Sequence, residues 1–159
     1  MALELLAPVA LNTEHRLSDF NCGESSLNDW LKRRALANQH NGASRTFVVT
    51  DRLGEVFGYY ALAAGAVSHN MASNSIKRNM PDPIPVMVLG RLAVDFRAQG
   101  IKLGASLLKD AVTRSTLVAQ NIGVRAILVH AINDRAKQYY EHYGFKASTI
   151  DPLVLMLKL

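Results

Sequence analysis

The sequence predicts an α/β (α+β) protein, a central sheet with helices packed against it, and three observations carry that prediction. Strand-like runs at 45–51 and 55–65 flank the turn Asp51–Glu55, which reads as a β-hairpin over 45–64. Apolar residues recur at helical spacing over 27–38 and again over 107–122. Further strand-like runs at 86–95 and 124–131 bracket the second of these helices. The resulting order, β-α-β-β-β-α-β-α-β, mixes hairpin-linked with helix-linked strands, as a layered sheet with helices requires.

Each element has its own local reason. Residues 3–11 form a first strand. Ser25 or Ser26 caps a helix beginning near Leu27, and Asn41-Gly42 ends it. The polar stretch 68–85, with three prolines, Lys77 and Arg78, reads as a long loop of the kind that carries function or mobility. The run 86–95 is long enough for a central strand. Leu107, Leu108, Ala111, Val112, Ser115, Val118, Ala119 and Ile122 then make the buried stripe of a helix stopped by Gly123. After the strand 124–131, Asn133 or Asp134 opens a short helix closed by Gly144. The remainder reads as two strands, or one bent strand, split at Asp151-Pro152.

Composition bounds the function. The chain has 159 residues, 49% hydrophobic and 19% charged, enough to bury a core without metal or disulfide staples. No repeat or composition break divides it, so one domain over 1–159 is expected. The net charge of +5 points to an anionic partner such as nucleic acid, a nucleotide cofactor or a membrane surface. No run approaches the ~20 apolar residues of a membrane span. The start lacks a basic segment before its apolar run and holds Glu4, so no signal peptide is expected. The lone Cys22 excludes an internal disulfide and fits a reducing, cytoplasmic setting. His15, His40, His69, His130 and His142 lack metal-ligand spacing, so no metal site is expected. Ser106 lacks the glycine context of a nucleophile elbow, and Cys22 has no nearby histidine to activate it.

The stretch 86–105 carries the chemistry. A strand ends at Asp95, the chain turns through Arg97-Ala98-Gln99-Gly100, and a helix begins near Leu103-Gly104-Ala105. The first N–H groups of a helix lack internal partners and lie at the positive end of its dipole, a place suited to phosphate. By itself this pattern also describes a plain connection in which Gly100 tolerates a positive φ.

The run 89–108 resembles motif A of the GNAT N-acetyltransferase superfamily, whose phosphate loop reads Gln/Arg-x-x-Gly-x-Gly/Ala. Asn133, Ala136, Tyr140, Gly144 and Phe145 match the last motif of that superfamily, in the right order and with a strand between the two. The start of the first helix (20–31), the entry to the central strand (81–86) and residues 89–95 are similar to the TacT-type acetyltransferase toxins of type II toxin–antitoxin modules. The resemblance implies a mixed, mostly antiparallel, twisted sheet of six to seven strands flanked by three to four helices. It implies an acetyl-CoA-dependent enzyme that acetylates the amino group of aminoacyl-tRNA and so blocks translation. It further implies a homodimer restrained by an antitoxin of the ribbon-helix-helix type. The alternatives are a GNAT enzyme acting on a protein or small-molecule amine, and an inactive module that binds nucleic acid or a partner.

The resemblance also assigns roles. Leu92, Ala93 and Val94 hold the pantetheine and thioester through their backbone. Gln99, Gly100, Ile101, Lys102, Leu103, Gly104 and Ala105 form the phosphate loop. Tyr140 is the general acid for the departing thiolate; a phenol near pKa 10 stays protonated at neutral pH. Asn133, Ala136, Tyr139 and Tyr143 read first as cap and packing residues, to which the resemblance adds coenzyme contact. Lys102 departs from the family pattern. A left-handed backbone there costs about 1 kcal/mol or more, whereas a helical one accepts lysine and offers its ammonium to the phosphates. Retained, if weaker, binding is expected. Candidate nucleic-acid contacts are Lys32, Arg33, Arg34, Arg45, Lys77, Arg78 and Arg91, the last a charge inside an apolar strand.

Overall fold

The computed structural model describes residues 3–159. In order, the elements are β1 (Val9–Ala10), α1 (Ser25–Arg33), α2 (Ala35–Asn41), β2 (Arg45–Thr50), β3 (Val56–Val67) and α3 (Asn74–Lys77). Next come β4 (Ile84–Val94), α4 (Leu103–Ala119), β5 (Ala126–His130), α5 (Asp134–His142), β6 (Lys146–Ala147) and β7 (Val154–Lys158). Single 3-10 turns occupy His69–Met71 and Phe96–Ala98. The seven strands of the described residues lie in the order β1-β2-β3-β4-β5-β7-β6. β4 and β5 are parallel; β1 and β2, β2 and β3, β5 and β7, and β6 and β7 are antiparallel. The mixed, mostly antiparallel sheet and the hairpin over 45–64 agree with the sequence reading. The chain divides into two compact units, Met1–Ala63 with Arg91–Ala111, and Ala64–Gly90 with Val112–Leu159.

In the first unit the core is aromatic. Tyr59 is fully buried, with Phe20 edge-on at 5.5 Å and Trp30 stacked at 6.0 Å. Its hydroxyl donates to Leu27 O at 2.7 Å, satisfying the one polar atom of a buried ring. Gly58 in β3 admits α4: a Cβ there would stand 3.0 Å from Leu107 Cδ1 and 3.1 Å from Leu103 Cδ2. The single helix expected from Leu27 to Asn41 is two. Glu24 rather than Ser25 or Ser26 is the N-cap, and the helix breaks at Arg34 (φ −120°, ψ −31°) before Gly42 ends α2 at φ 77°. In a straight helix Leu36 would fall about 180° from Leu27. The break turns Leu27 and Leu36 toward the same core. The first strand is also shorter than 3–11: Leu11 N donates to Thr46 O at 2.9 Å in the register of Val9↔Val48, whereas Leu6 N donates to Thr50 O at 2.8 Å, so the pairing slips by one residue across Ala7 and Pro8.

The second unit packs Val67, Ile76, Ile84, Val86, Ala126 and Val154 into an aliphatic core. Here 68–85 is not a plain loop: it holds the one-turn helix α3, whose Ile76 is 4% exposed. Arg125 holds that helix from β5's entry, its Nε donating to Ile76 O at 2.9 Å and its Nη2 to Ser75 O at 3.0 Å. Helix α4 ends at Ala119, so Ile122, expected in the buried stripe, is 60% exposed.

Candidate active site

Asp95 directly follows β4 and organises the turn into α4. Its carboxylate is 1% exposed. Oδ1 accepts from Arg97 N and Nε, both at 2.8 Å; Oδ2 accepts from Asn21 N at 2.8 Å and Arg97 Nη2 at 3.0 Å. Burial alone would raise its pKa, but these hydrogen bonds and the Arg97 charge hold it below the ordinary carboxylate range. Arg97 also pairs with Glu55 Oε1 at 3.3 Å and covers the Phe57 ring at 4.5 Å.

Beyond the 3-10 turn, Gln99 Nε2 donates to Val94 O at 3.1 Å, which folds the loop back onto the strand end. Gly100 comes next at φ 84°, a conformation glycine adopts freely. Ile101 and Lys102 are exposed, and α4 starts at Leu103, with Ser106 N bonding Lys102 O at 3.2 Å. Gly104 and Ala105 are half-buried in the first turn. Lys102 stands at φ 62°. Of the two conformations the sequence left open, it is the left-handed one, with a strain of about 1–2 kcal/mol. Within β4, Ala93 is 5% exposed, with Leu92 and Val94 half-buried beside it. The parallel register with β5 runs from Val86↔Ala126 to Leu89↔Val129, and β4 itself continues to Val94.

In the second unit, Asn133 caps α5, its Oδ1 accepting from Ala136 N at 2.8 Å. Tyr140 is 7% exposed, between Phe145 and Tyr139, each with its ring centroid at 5.5 Å. Burial, with a smaller contribution from Tyr139, pushes its phenol above the ordinary tyrosine value, so it holds its proton throughout the physiological range. Burial likewise pushes Tyr139 up to about 12, and its hydroxyl is buried with no hydrogen-bond partner among the described residues. Tyr143 is edge-on to Tyr139 at 5.2 Å and 42% exposed. Gly144, at φ 93°, ends the segment.

The basic candidates divide. Lys32, Arg33 and Arg34 are exposed at the end of α1. Arg91 is half-buried, its guanidinium 4.4 Å from the Trp30 ring centroid on the same helix, which is the partner its place in an apolar strand demanded. Arg45 is exposed, its Nη1 donating to Gln39 O at 2.6 Å. Lys77 closes α3 half-buried, and Arg78 beside it is exposed. Sequence reasoning passed over Asp95, Arg97 and Asn21. An Asp directly after a strand and two residues before an Arg was the available signal, since Asp commonly accepts from backbone two residues on. Cys22 packs half-buried, burial pushing its thiol up. Among the described residues no three His, Cys, Asp or Glu side chains converge as a metal site would need, and no helix is long and apolar enough to cross a membrane.

Known proteins share this architecture. The chain is 51% identical over 151 residues to the tRNA-acetylating toxin of Mycobacterium tuberculosis, covering 95% of this chain and 90% of that protein. It superposes on AtaT complexed with acetyl-methionyl-tRNAfMet with TM-score 0.90 at 26% identity, covering 98% of this chain and 95% of the other. A mutant AtaT toxin bound to the C-terminus of the antitoxin AtaR and acetyl-CoA gives TM-score 0.81 at 25% identity, covering 98% and 93%. The family model of the acetyltransferase (GNAT) domain matches residues 18–153, and the chain therefore belongs to that acetyltransferase family.

Proposed function

We propose that this protein is an acetyl-CoA-dependent N-acetyltransferase toxin that acetylates the α-amino group of aminoacyl-tRNA and so stops translation. The observation that carries the reading is the 51% identity, over nearly the whole chain, to a tRNA-acetylating toxin. In this reading residues 1–159 act as one catalytic domain in the cytoplasm. Backbone donors of Gln99–Ala105 take the diphosphate at the start of α4. The backbone of Leu92–Val94 takes the pantetheine and the thioester oxygen, with Asn133, Ala136, Tyr139 and Tyr143 as further coenzyme contacts.

The chemistry is modest. A free α-amino group has a pKa of about 7.7–8.0, and an adjacent ester lowers it, so a useful fraction is neutral without a dedicated base. Its nitrogen attacks the thioester carbon, a C–N bond forms, and the C–S bond breaks. Tyr140 gives its phenolic proton to the departing thiolate, and the proton lost by the nitrogen restores the phenol through solvent. An N–H aimed at the thioester oxygen steadies the charge that develops there. Lys32, Arg33, Arg34, Arg45, Lys77, Arg78 and Arg91 supply the phosphate contacts of the tRNA. Arg45 does so most weakly, since its guanidinium already bonds Gln39. The partners are a second copy of this chain and an antitoxin of ribbon-helix-helix type; the AtaT–AtaR structure supports an antitoxin as partner.

The test is incubation with labelled acetyl-CoA and total charged tRNA, followed by mass spectrometry of the released aminoacyl-adenosines. Acetylated aminoacyl-adenosine supports the reading. Label found only on protein or small amines moves the acceptor. No transfer to any amine leaves a binding module.

A further inference from the structure

We propose that Asp95 is the positioning residue of the diphosphate loop, acting through Arg97 and the Asn21 backbone to set how tightly the coenzyme is held. This rests on the acetyl-CoA reading above.

All four bonds to the Asp95 carboxylate come from groups that shape the turn. Two backbone N–H groups, of Asn21 and Arg97, and two guanidinium nitrogens of Arg97 fill its acceptor positions at 2.8–3.0 Å. The main chain is tied at the same place: Asp95 N donates to Phe57 O at 2.8 Å, Phe96 N to Asn21 O at 2.9 Å, and Ala98 N to Asp95 O at 2.9 Å. The Asn21 loop is itself fastened to α1, where Asn28 Nδ2 donates to Asn21 Oδ1 at 3.1 Å and Cys22 N donates to Asn28 Oδ1 at 2.9 Å. A carboxylate this buried is tolerated only with every lone pair engaged, so the turn has one arrangement. That arrangement fixes where Gln99 and Gly100 begin, and Gly58 fixes the other side by admitting the first turn of α4.

Arg97 is the natural candidate for a direct phosphate ligand, two residues before Gln99. Its guanidinium is instead turned back onto Asp95 and Glu55 and lies over Phe57. Its charge is committed within the protein, so it acts on the loop's shape. Direct contact and positioning predict different salt behaviour, since only a direct cation–phosphate contact adds to the salt dependence of binding.

The experiment measures acetyl-CoA binding by calorimetry at two salt concentrations, and KM and kcat for acetyl-CoA, on the full chain and on Asp95→Asn and Arg97→Gln. Asn keeps the size but presents an amide NH2 where one carboxylate oxygen now accepts. We expect Kd and KM for acetyl-CoA to rise about tenfold in Asp95→Asn, the worth of a lost charge-assisted hydrogen bond. The expected rise is about threefold in Arg97→Gln, with kcat at saturating acetyl-CoA within about twofold and the salt slope of wild type in both. Arg97→Lys, which restores one donor, should recover part of the loss. Unchanged Kd in a folded Asp95→Asn overturns the proposal. If that variant does not fold, unchanged Kd in Arg97→Gln overturns it. A flatter salt slope in Arg97→Gln overturns it too, by making Arg97 a phosphate ligand. Failure of the wild type to bind acetyl-CoA refutes the coenzyme reading instead, which keeps the two outcomes apart.

Discussion

Gly58 and Leu107 meet so closely that a Cβ on the glycine would stand 3.0 Å from Leu107 Cδ1, a side chain fully buried between strand β3 and helix α4. The contact matters because α4 opens on the turn proposed to hold the diphosphate. A strand residue without a side chain therefore sets the seat of the helix whose N-terminus is assigned to the diphosphate. Gly58→Ala should cost about 1 kcal/mol, at the low end for overpacking, because the leucine ends can give by a few tenths of an ångström. Thermal melts check the stability, and a weaker Kd for acetyl-CoA in the same variant checks the link to the loop.

Lys102, at φ 62°, carries strain that glycine would not. Lys102→Gly removes about 1–2 kcal/mol of left-handed strain and gives back about 0.4–1 kcal/mol in unfolded-chain entropy. The variant should thus be as stable as wild type or more stable by up to about 1.6 kcal/mol, whereas Lys102→Ala, still left-handed, should show no gain. Acetyl-CoA affinity should hold or improve in Lys102→Gly. A large loss of affinity would make the ammonium a phosphate ligand.

Asp95 makes stability depend on acid. Its folded pKa is held below its unfolded value, so its contribution is complete above about pH 4, the ordinary carboxylate value, and is lost as pH falls through the lower, folded value. Chemical denaturation of wild type and Asp95→Asn from pH 7 down to pH 3 checks this. The stability gap between the two should be constant near neutrality and close toward the acid end. A gap that widened on acidification would contradict the sign.

Arg91 rests on Trp30, 4.4 Å from the ring centroid. Arg91→Ala should lose about 0.5–1 kcal/mol of stability with the cation–π contact. If the exposed part of the guanidinium meets an RNA phosphate, tRNA binding should also weaken, and its salt slope should fall by about one. Filter binding over a salt series reads both. An unchanged slope assigns Arg91 to the Trp30–Tyr59 stack alone.

Much of this fold was legible because its signals are local. The hairpin over 45–64 announced itself through β-branched and aromatic runs around Asp51–Glu55, and the buried side of α4 through Leu107, Leu108, Ala111 and Ser115. What escaped depends on partners far along the chain. The one-turn helix α3 is held by Arg125, 49 residues beyond Ile76, and the polar, proline-rich composition around it hides the pairing. The Asp95 carboxylate reaches Asn21 across 74 residues and Arg97 connects to Glu55 across 42, so the brace behind the turn into α4 has no sequence period to betray it. The break at Arg34 was missed because residues 27–38 repeat near helical spacing on both sides of it. The roles proposed for 99–105 and Tyr140 come from motif resemblance; spacing alone gives a strand–turn–helix and a packed tyrosine.

The central claim is that Tyr140 supplies the proton which releases coenzyme A while the acetyl group passes to an aminoacyl-tRNA amine. Single-turnover acetylation of charged tRNA by Tyr140→Phe, set beside its Kd for acetyl-CoA, tests it most directly. The ring packing against Phe145 and Tyr139 survives this change. Acetyl-CoA affinity should stay close to wild type with the transfer rate down by about 10²–10⁴-fold. Transfer at the wild-type rate would contradict it.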